Sequence, residues 1–150
     1  LIPAAREIND SMPFHLIELA EEAMKESGVT PKKAKIAVMG YAFIEDSDDT
    51  RDTPAAPVIK HFMDIGSEVI VHDPYVKAVD GLEMTGDLNK ALVGADCAIF
   101  VTAHSRYKSM KLKNLVQKMK NPIIIDGRDL FERKKCIKEG FVYKGIGKKR

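Results

Sequence analysis

The sequence has no tryptophan, only two cysteines, and no apolar run near the roughly 20 residues that cross a bilayer. No membrane partner is therefore expected. Cys97 and Cys136 stand far apart, without a CxxC pair or metal-like spacing, which excludes a disulfide framework and a zinc cluster. They read as free thiols of a protein in a reducing cytoplasm. His15, His61, His72 and His104 are scattered with no ligand spacing, so no metal is expected. Charge of one sign is also missing: the formal net charge is +2 over 150 residues. Basic residues gather only at Arg133, Lys134, Lys135 and in the tail Lys148, Lys149, Arg150, too little for a nucleic-acid-binding stripe. No G-x-G-x-x-G turn occurs, and no nucleophile, base and orienting group fall into a recognisable set. By itself the chain is expected to catalyse nothing.

What is present is an alternation of short apolar runs and helical stretches. Residues 4 to 27 have helical periodicity, with Phe14, Leu16, Ile17, Leu19, Ala20, Ala23 and Met24 forming an apolar stripe and Gly28 a stop. Pro13 is expected to kink or restart that helix near Ser11. The chain opens at Leu1, inside this helical pattern, which suggests a piece of a longer protein. The polar stretch "TPKKAK" (30 to 35) marks a boundary between residues 1–30 and a domain over 31–150. Strands are expected at 36–39, 69–72, 97–101, 123–125 and 141–143, and helices at 54–64, 88–93, 110–119 and 132–138. The strands carry few polar residues, as when both faces of a sheet are covered. The fold class is α/β: an open three-layer sandwich with a mainly parallel, Rossmann-like sheet, preceded by a long helix.

Ligands of open α/β sheets bind beyond the carboxyl ends of the strands. Those ends carry the segments 40–52, Asp73-Pro74, 102–104 and 126–128. The first, "GYAFIEDSDDTRDTPA", has one glycine and a run of carboxylates where a phosphate loop would be expected. Thr53 and Pro54 suit an N-cap and a first helical position. Arg51 just upstream fits either a phosphate contact or an ion pair with the neighbouring aspartates. Arg128, after Gly127, suits phosphate or ribose oxygens, or a surface pair with Asp129 or Glu132. Gly127 is expected to permit a sharp turn. Phe43 is either a core residue or a platform for a ligand ring. Asp73 reads as the start of an Asp-Pro turn, and His104 has no evident partner.

The stretch "KIAVMGYAFIEDSDDTRDTPA" resembles the carboxyl-terminal domain of the UDP-glucose/GDP-mannose dehydrogenase family. Gly40, Ala42, Phe43, Asp49, Arg51 and Pro54 fall on its pattern. The likeness continues through "GSEVIVHDPYV", "ADCAIFVTAH", "IIIDGRDLF" and "YKGIGKKR", and "AREIND" is similar to the start of the family's central helix. The resemblance implies an NAD-dependent enzyme that oxidises C6 of a nucleotide sugar to a carboxylate by two hydride transfers. It implies that the catalytic cysteine, the catalytic lysine and the NAD domain belong to parts preceding this chain. Phe43 and Ile44 would then lie along the UDP-sugar, Arg128 would contact its nucleotide, and Arg51 would reach the NAD pyrophosphate across a cleft. Ile44 departs from the family, which usually has lysine there, so a charge on the substrate is lost. "AREIND" and "DDTRDTP" are most similar to the branch that oxidises UDP-N-acetylmannosamine. The partners implied are a UDP-sugar, the amino-terminal NAD domain, and a second copy held through the 4–27 helix as a homodimer or higher homo-oligomer.

Two other readings share these features. A free-standing nucleotide-sensing α/β module would have the same strand-end residues but no need of the apolar front helix. A receiver-like domain with Asp73 as phosphoacceptor would need an acidic pair after the first strand, where Gly40-Tyr41-Ala42 stands instead.

Overall fold

The computed structural model describes residues 2–146, and of residues 2–10 the backbone alone. The tail Lys148, Lys149, Arg150 and the side chains of "AREIND" lie outside the described residues. The elements are α1 (Ile2–Glu26), β1 (Lys35–Met39), α2 (Ala55–Asp64), β2 (Glu68–His72), β3 (Met84–Thr85) and α3 (Leu88–Leu92). They continue with β4 (Cys97–Phe100), α4 (Ser105–Lys108), α5 (Leu112–Lys118), β5 (Ile123–Asp126), α6 (Arg133–Lys138) and β6 (Val142–Gly145). The strands form one sheet in the order β3-β2-β1-β4-β5-β6, with every pair parallel. That is the doubly wound order whose reversal point lies between β1 and β4.

Alternate residues of each central strand enter different cores. Ile36 and Val38 of β1, Cys97 and Ile99 of β4, and Ile123 and Ile125 of β5 face α1 and α2. Ala37, Met39, Ala98, Phe100 and Ile124 face the other way, among Leu92, Tyr107, Leu115 and Cys136. Both faces are apolar, which is why these strands read as continuous hydrophobic runs. The two cysteines are buried, form no disulfide and lie in different cores, so the sheet stands between them.

The first helix differs from expectation in two respects. It runs unbroken through Pro13, which is itself buried. Packing of the following turns onto the sheet outweighs the roughly 3 kcal/mol that an interior proline costs. Phe14 leaves the stripe and is 64% exposed, while Leu16, Ile17, Leu19, Ala20, Ala23 and Met24 are buried. At 3.6 residues per turn, position 14 lies nearly opposite position 16. The stripe that suggested a partner helix is thus spent on the chain's own sheet. Lys144 of β6 adds ion pairs to Glu22 at 3.3 Å and Glu26 at 3.0 Å, and His61 of α2 meets Glu21 at 3.3 Å. The polar stretch 30–35 separates α1 from β1 in sequence, but α1 shares one core with the sheet.

Two elements escaped the periodicity. β3 is two residues long, and the stretch expected as one helix over 110–119 is α5 alone, with α4 before it. Elements of two to four residues offer no period to read.

Leu16 tests how far α1 belongs to this core. It is fully buried, and Leu16→Ala is expected to cost about 3 kcal/mol in urea denaturation. A loss below about 0.5 kcal/mol, typical of surface sites, would mean that α1 is only loosely attached.

Candidate functional site

The carboxyl ends of the strands are organised by two buried carboxylates. Asp73, at the end of β2, has no exposed side-chain surface. Its Oδ2 accepts the N–H of Tyr41 at 2.8 Å, the N–H of Ala42 at 3.0 Å and His104 Nε2 at 3.0 Å. Its Oδ1 accepts the N–H groups of Tyr75 at 2.8 Å and Val76 at 3.0 Å. Burial pushes this carboxyl up, but the bonds from His104, Ala42, Tyr41 and Tyr75 together outweigh it and hold the pKa well below the carboxylate range. The Asp-Pro turn is present, and it accounts for one oxygen only.

His104 therefore has partners the sequence did not suggest. Its Nδ1 accepts the N–H of Asp46 at 2.9 Å. A nitrogen that accepts cannot carry a proton, so Nε2 holds the hydrogen and donates it to Asp73. The hydrogen-bond pattern assigns the neutral Nε2–H tautomer. Asp46, with φ 56°, turns its carboxylate onto the N–H and hydroxyl of Ser105 at 2.8 and 2.6 Å, and these bonds lower its pKa.

This wiring changes the meaning of the reversal point between β1 and β4. In a dinucleotide-binding sheet, backbone N–H groups after β1 cradle a pyrophosphate. Here those of Tyr41 and Ala42 are already taken by the Asp73 carboxylate. Gly40, at φ 100°, has no room for a side chain: a Cβ would lie 2.5 Å from the Cβ of Thr102. Thr102 donates its hydroxyl to Ala42 O at 2.7 Å. The residues present do not fit an NAD pyrophosphate at this point. The same hydrogen bonds exclude the receiver reading, because both oxygens of Asp73 are engaged and buried.

The second carboxylate, Asp126, ends β5 and is fully buried. Oδ1 accepts the N–H groups of Arg128 at 3.1 Å and Leu130 at 3.0 Å, and Oδ2 accepts the N–H of Phe131 at 2.9 Å and the O–H of Tyr143 at 2.7 Å. The turn that carries Arg128 is thus built around one side chain. Gly127 is needed for close approach rather than for a positive φ: a Cβ there would lie 2.8 Å from Phe100 O and 3.1 Å from Leu16 Cδ2. Its N–H donates to Phe100 O at 2.9 Å.

The residues expected to bind occupy the outer surface of these two constructions. Phe43 and Ile44 are 43% and 50% exposed, on the loop that Asp73 and His104 hold. Arg128 is exposed, and among the described residues no carboxylate pairs with its guanidinium. Arg51 is paired: Nη2 and Nε meet Asp49 at 2.7 and 3.0 Å, with the arginine side chain 86% exposed. That pair holds the Asp49 carboxyl down at about 2, chiefly through the side-chain bond. Pro54 already has helical angles, φ −68° and ψ −13°, and Thr53 Oγ1 accepts the N–H of Ala55 at 3.2 Å, so Thr53 caps α2 as expected. A separate open hollow of about 220 Å³, lined by Tyr41, Ile59, Met63 and Leu82 among others, lies between α2 and residues 79–82. Phe43, Ile44, Arg51 and Arg128 are not among its lining residues.

Residues 37–133 match the model of the UDP-glucose/GDP-mannose dehydrogenase family, UDP binding domain. The chain belongs to that family. The UDP-N-acetyl-D-mannosamine dehydrogenase of Pyrococcus horikoshii is 36% identical over 149 residues, which is 99% of this chain and 34% of that protein. A crystal structure of NDP-N-acetyl-D-galactosaminuronic acid dehydrogenase from Methanosarcina mazei Go1 superposes with a TM-score of 0.88 at 41% identity, covering 96% of this chain and 31% of that one. The structure of a UDP-D-ManNAc dehydrogenase from P. horikoshii gives 0.85 at 34% identity, over 96% and 32%. This chain spans about a third of the length of the curated relatives it matches.

The Asp73 network yields a stability prediction with a definite pH dependence. Asp73→Asn is expected to cost about 2–3 kcal/mol at neutral pH in urea denaturation. The folded carboxyl titrates below the unfolded one, so its contribution is present above the ordinary aspartate value near 3.9 and lost as pH falls through the folded value. The gap between parent and variant should therefore narrow below about pH 4. A gap that widened on acidification would contradict the network.

Proposed function

We propose that this chain is the UDP-sugar-binding part of an NAD-dependent UDP-sugar 6-dehydrogenase whose catalytic cysteine, lysine and NAD domain lie elsewhere in a longer parent. The observation that carries the proposal is the family match over 37–133 together with Arg128 standing exposed on a turn fixed by Asp126. In this reading Arg128 pairs with oxygens of the nucleotide, and Phe43 and Ile44 lie along the nucleotide-sugar. Ile44 contributes backbone and apolar contact only. Both groups lie past the carboxyl ends of adjacent halves of the sheet, where doubly wound folds place ligands.

Arg51 is assigned to the NAD pyrophosphate across the cleft between domains. Its exposure supports this, and its pairing with Asp49 aims it without burying it. NAD bound in the parent enzyme supplies the hydride acceptor, while this chain's own residues position the substrate. The occupied N–H groups of Tyr41 and Ala42 leave no second dinucleotide site here. The parent assembles through the outer face of α1, where Phe14 is exposed, and residues 1–30 continue its central domain. The sugar is assigned as N-acetylmannosamine, on the likeness of "AREIND" and "DDTRDTP" to that branch. The relatives support an N-acetylated amino sugar, although their names differ in which one.

Calorimetric titration of the 150-residue chain with UDP tests this. Saturable binding is expected, weakened about tenfold or more by Arg128→Ala, which removes a charge-assisted contact. NAD should give no saturable heat, and GMP should bind more weakly than UDP. Unchanged UDP affinity in Arg128→Ala would remove Arg128 from the site. Absence of UDP binding in both this chain and the parent enzyme would overturn the whole reading.

A further inference from the structure

We propose that His104 is a positioning residue for nucleotide-sugar binding: through its two ring nitrogens it fixes both ends of the segment that presents Phe43 and Ile44. The proposal rests on the UDP-sugar reading above and names a device within that site.

The geometry is a short closed circuit. Asp73 Oδ2 holds the N–H groups of Tyr41 and Ala42 at the start of the segment. The same oxygen accepts His104 Nε2, and His104 Nδ1 accepts the N–H of Asp46 at the far end. Phe43 and Ile44, the exposed apolar pair, lie between the two anchors. The imidazole itself is completely buried. Its surroundings come from every neighbouring element: Asp73 and His72 at the end of β2, Tyr75 on the next turn with ring centroids 5.2 Å away, Asp46 from the loop after β1, and Tyr107 of α4 at 5.6 Å. Lys108 of α4 is engaged with Glu45 at 3.1 Å, and Arg106 with Gly86 O at 3.3 Å.

Only the neutral Nε2–H ring completes this circuit. Protonation turns Nδ1 from an acceptor into a donor facing another donor, the N–H of Asp46. Asp46 Oδ1 lies 3.9 Å from Nδ1, beyond hydrogen-bond reach of the new hydrogen, and that carboxylate is committed to Ser105. Asp46 must then turn, and the segment bearing Phe43 and Ile44 loses its second anchor. His104 acts on the substrate through the loop and touches no ligand itself.

The test uses nitrogen-15 NMR of the 150-residue chain, with UDP affinity measured across the same pH series. The ring should show the Nε2–H tautomer, and UDP affinity should fall in step with His104 protonation and with loss of protection at the Asp46 amide. Two variants separate the ring's roles. In His104→Asn the amide oxygen sits where Nδ1 was, so it should restore most of the Asp46 protection and UDP affinity while abolishing their pH dependence. In His104→Gln the acceptor is displaced, and UDP affinity should drop about tenfold, the scale of one lost hydrogen bond to an ordered loop. Melting temperatures of both variants are the control, since a purely structural histidine would lower affinity only as far as it lowers stability. Equal affinity losses in both variants that follow their melting temperatures would overturn the proposal. So would UDP affinity that ignores the titration of His104. If the parent chain binds no UDP, the UDP-sugar reading fails and takes the binding role with it. Protection of the Asp46 amide then still decides whether His104 holds the loop.

Discussion

A carboxylate placed where a bound phosphate would sit is the interaction on which the strand-end surface depends. Asp73 gathers the first two amides after Gly40, the two amides after Pro74 and the ring of His104. Burying an unpaired carboxylate is prohibitive, so five donors around it are a requirement of the fold. Satisfying them also draws three strand-end segments to one point. The price is that the reversal point of the sheet is filled from within. Phe43, Ile44 and Arg128 stand outside that filled point, on the exposed surface.

Asp126 repeats the same logic three strands away. It closes a turn of its own backbone, and Tyr143 of β6 supplies the last donor. The arginine expected to meet the nucleotide is therefore held by backbone bonds to a group that never meets solvent, and its side chain stays free to pair. Arg51 illustrates the contrary arrangement. Its loop is long and mostly exposed, and its direction is set by one neighbouring carboxylate. The chain thus carries one arginine on a turn closed by a buried carboxylate and one aimed by an exposed ion pair.

Much of the architecture was legible because buried parallel strands have to be apolar on both faces. "KIAVM", "CAIF" and "IIID" announce themselves by composition, and all five expected strands exist within two residues of their expected limits. The two-residue β3 and four-residue α4 did not, being too short for a period. Pro13 is not legible as a helix-interior residue because the sheet that α1 covers outweighs its local propensity, and Phe14 falls on the helix face opposite Leu16. The candidate binding residues were legible only through resemblance; composition left Arg51 and Arg128 open between ligand and ion pair. The buried wiring was hardest to see. His104 lies 31 residues from Asp73 and 58 from Asp46, and no local pattern joins them. One signal was available: aspartates that end apolar strands before proline or glycine, as in "HDP" and "IDG", often serve as acceptors for the turn that follows.

Gly127 links these observations to the helix at the front of the chain. Its missing side chain leaves space that Leu16 of α1 fills, directly beneath the turn bearing Arg128. Helix α1 is thus the floor on which the turn bearing Arg128 rests. There is no compressible layer between them, since glycine has nothing to bend out of the way and the carbonyl of Phe100 closes the other side. A tilt of α1 would be transmitted to the backbone of that turn as directly as the movement of a table is felt by a cup standing on it.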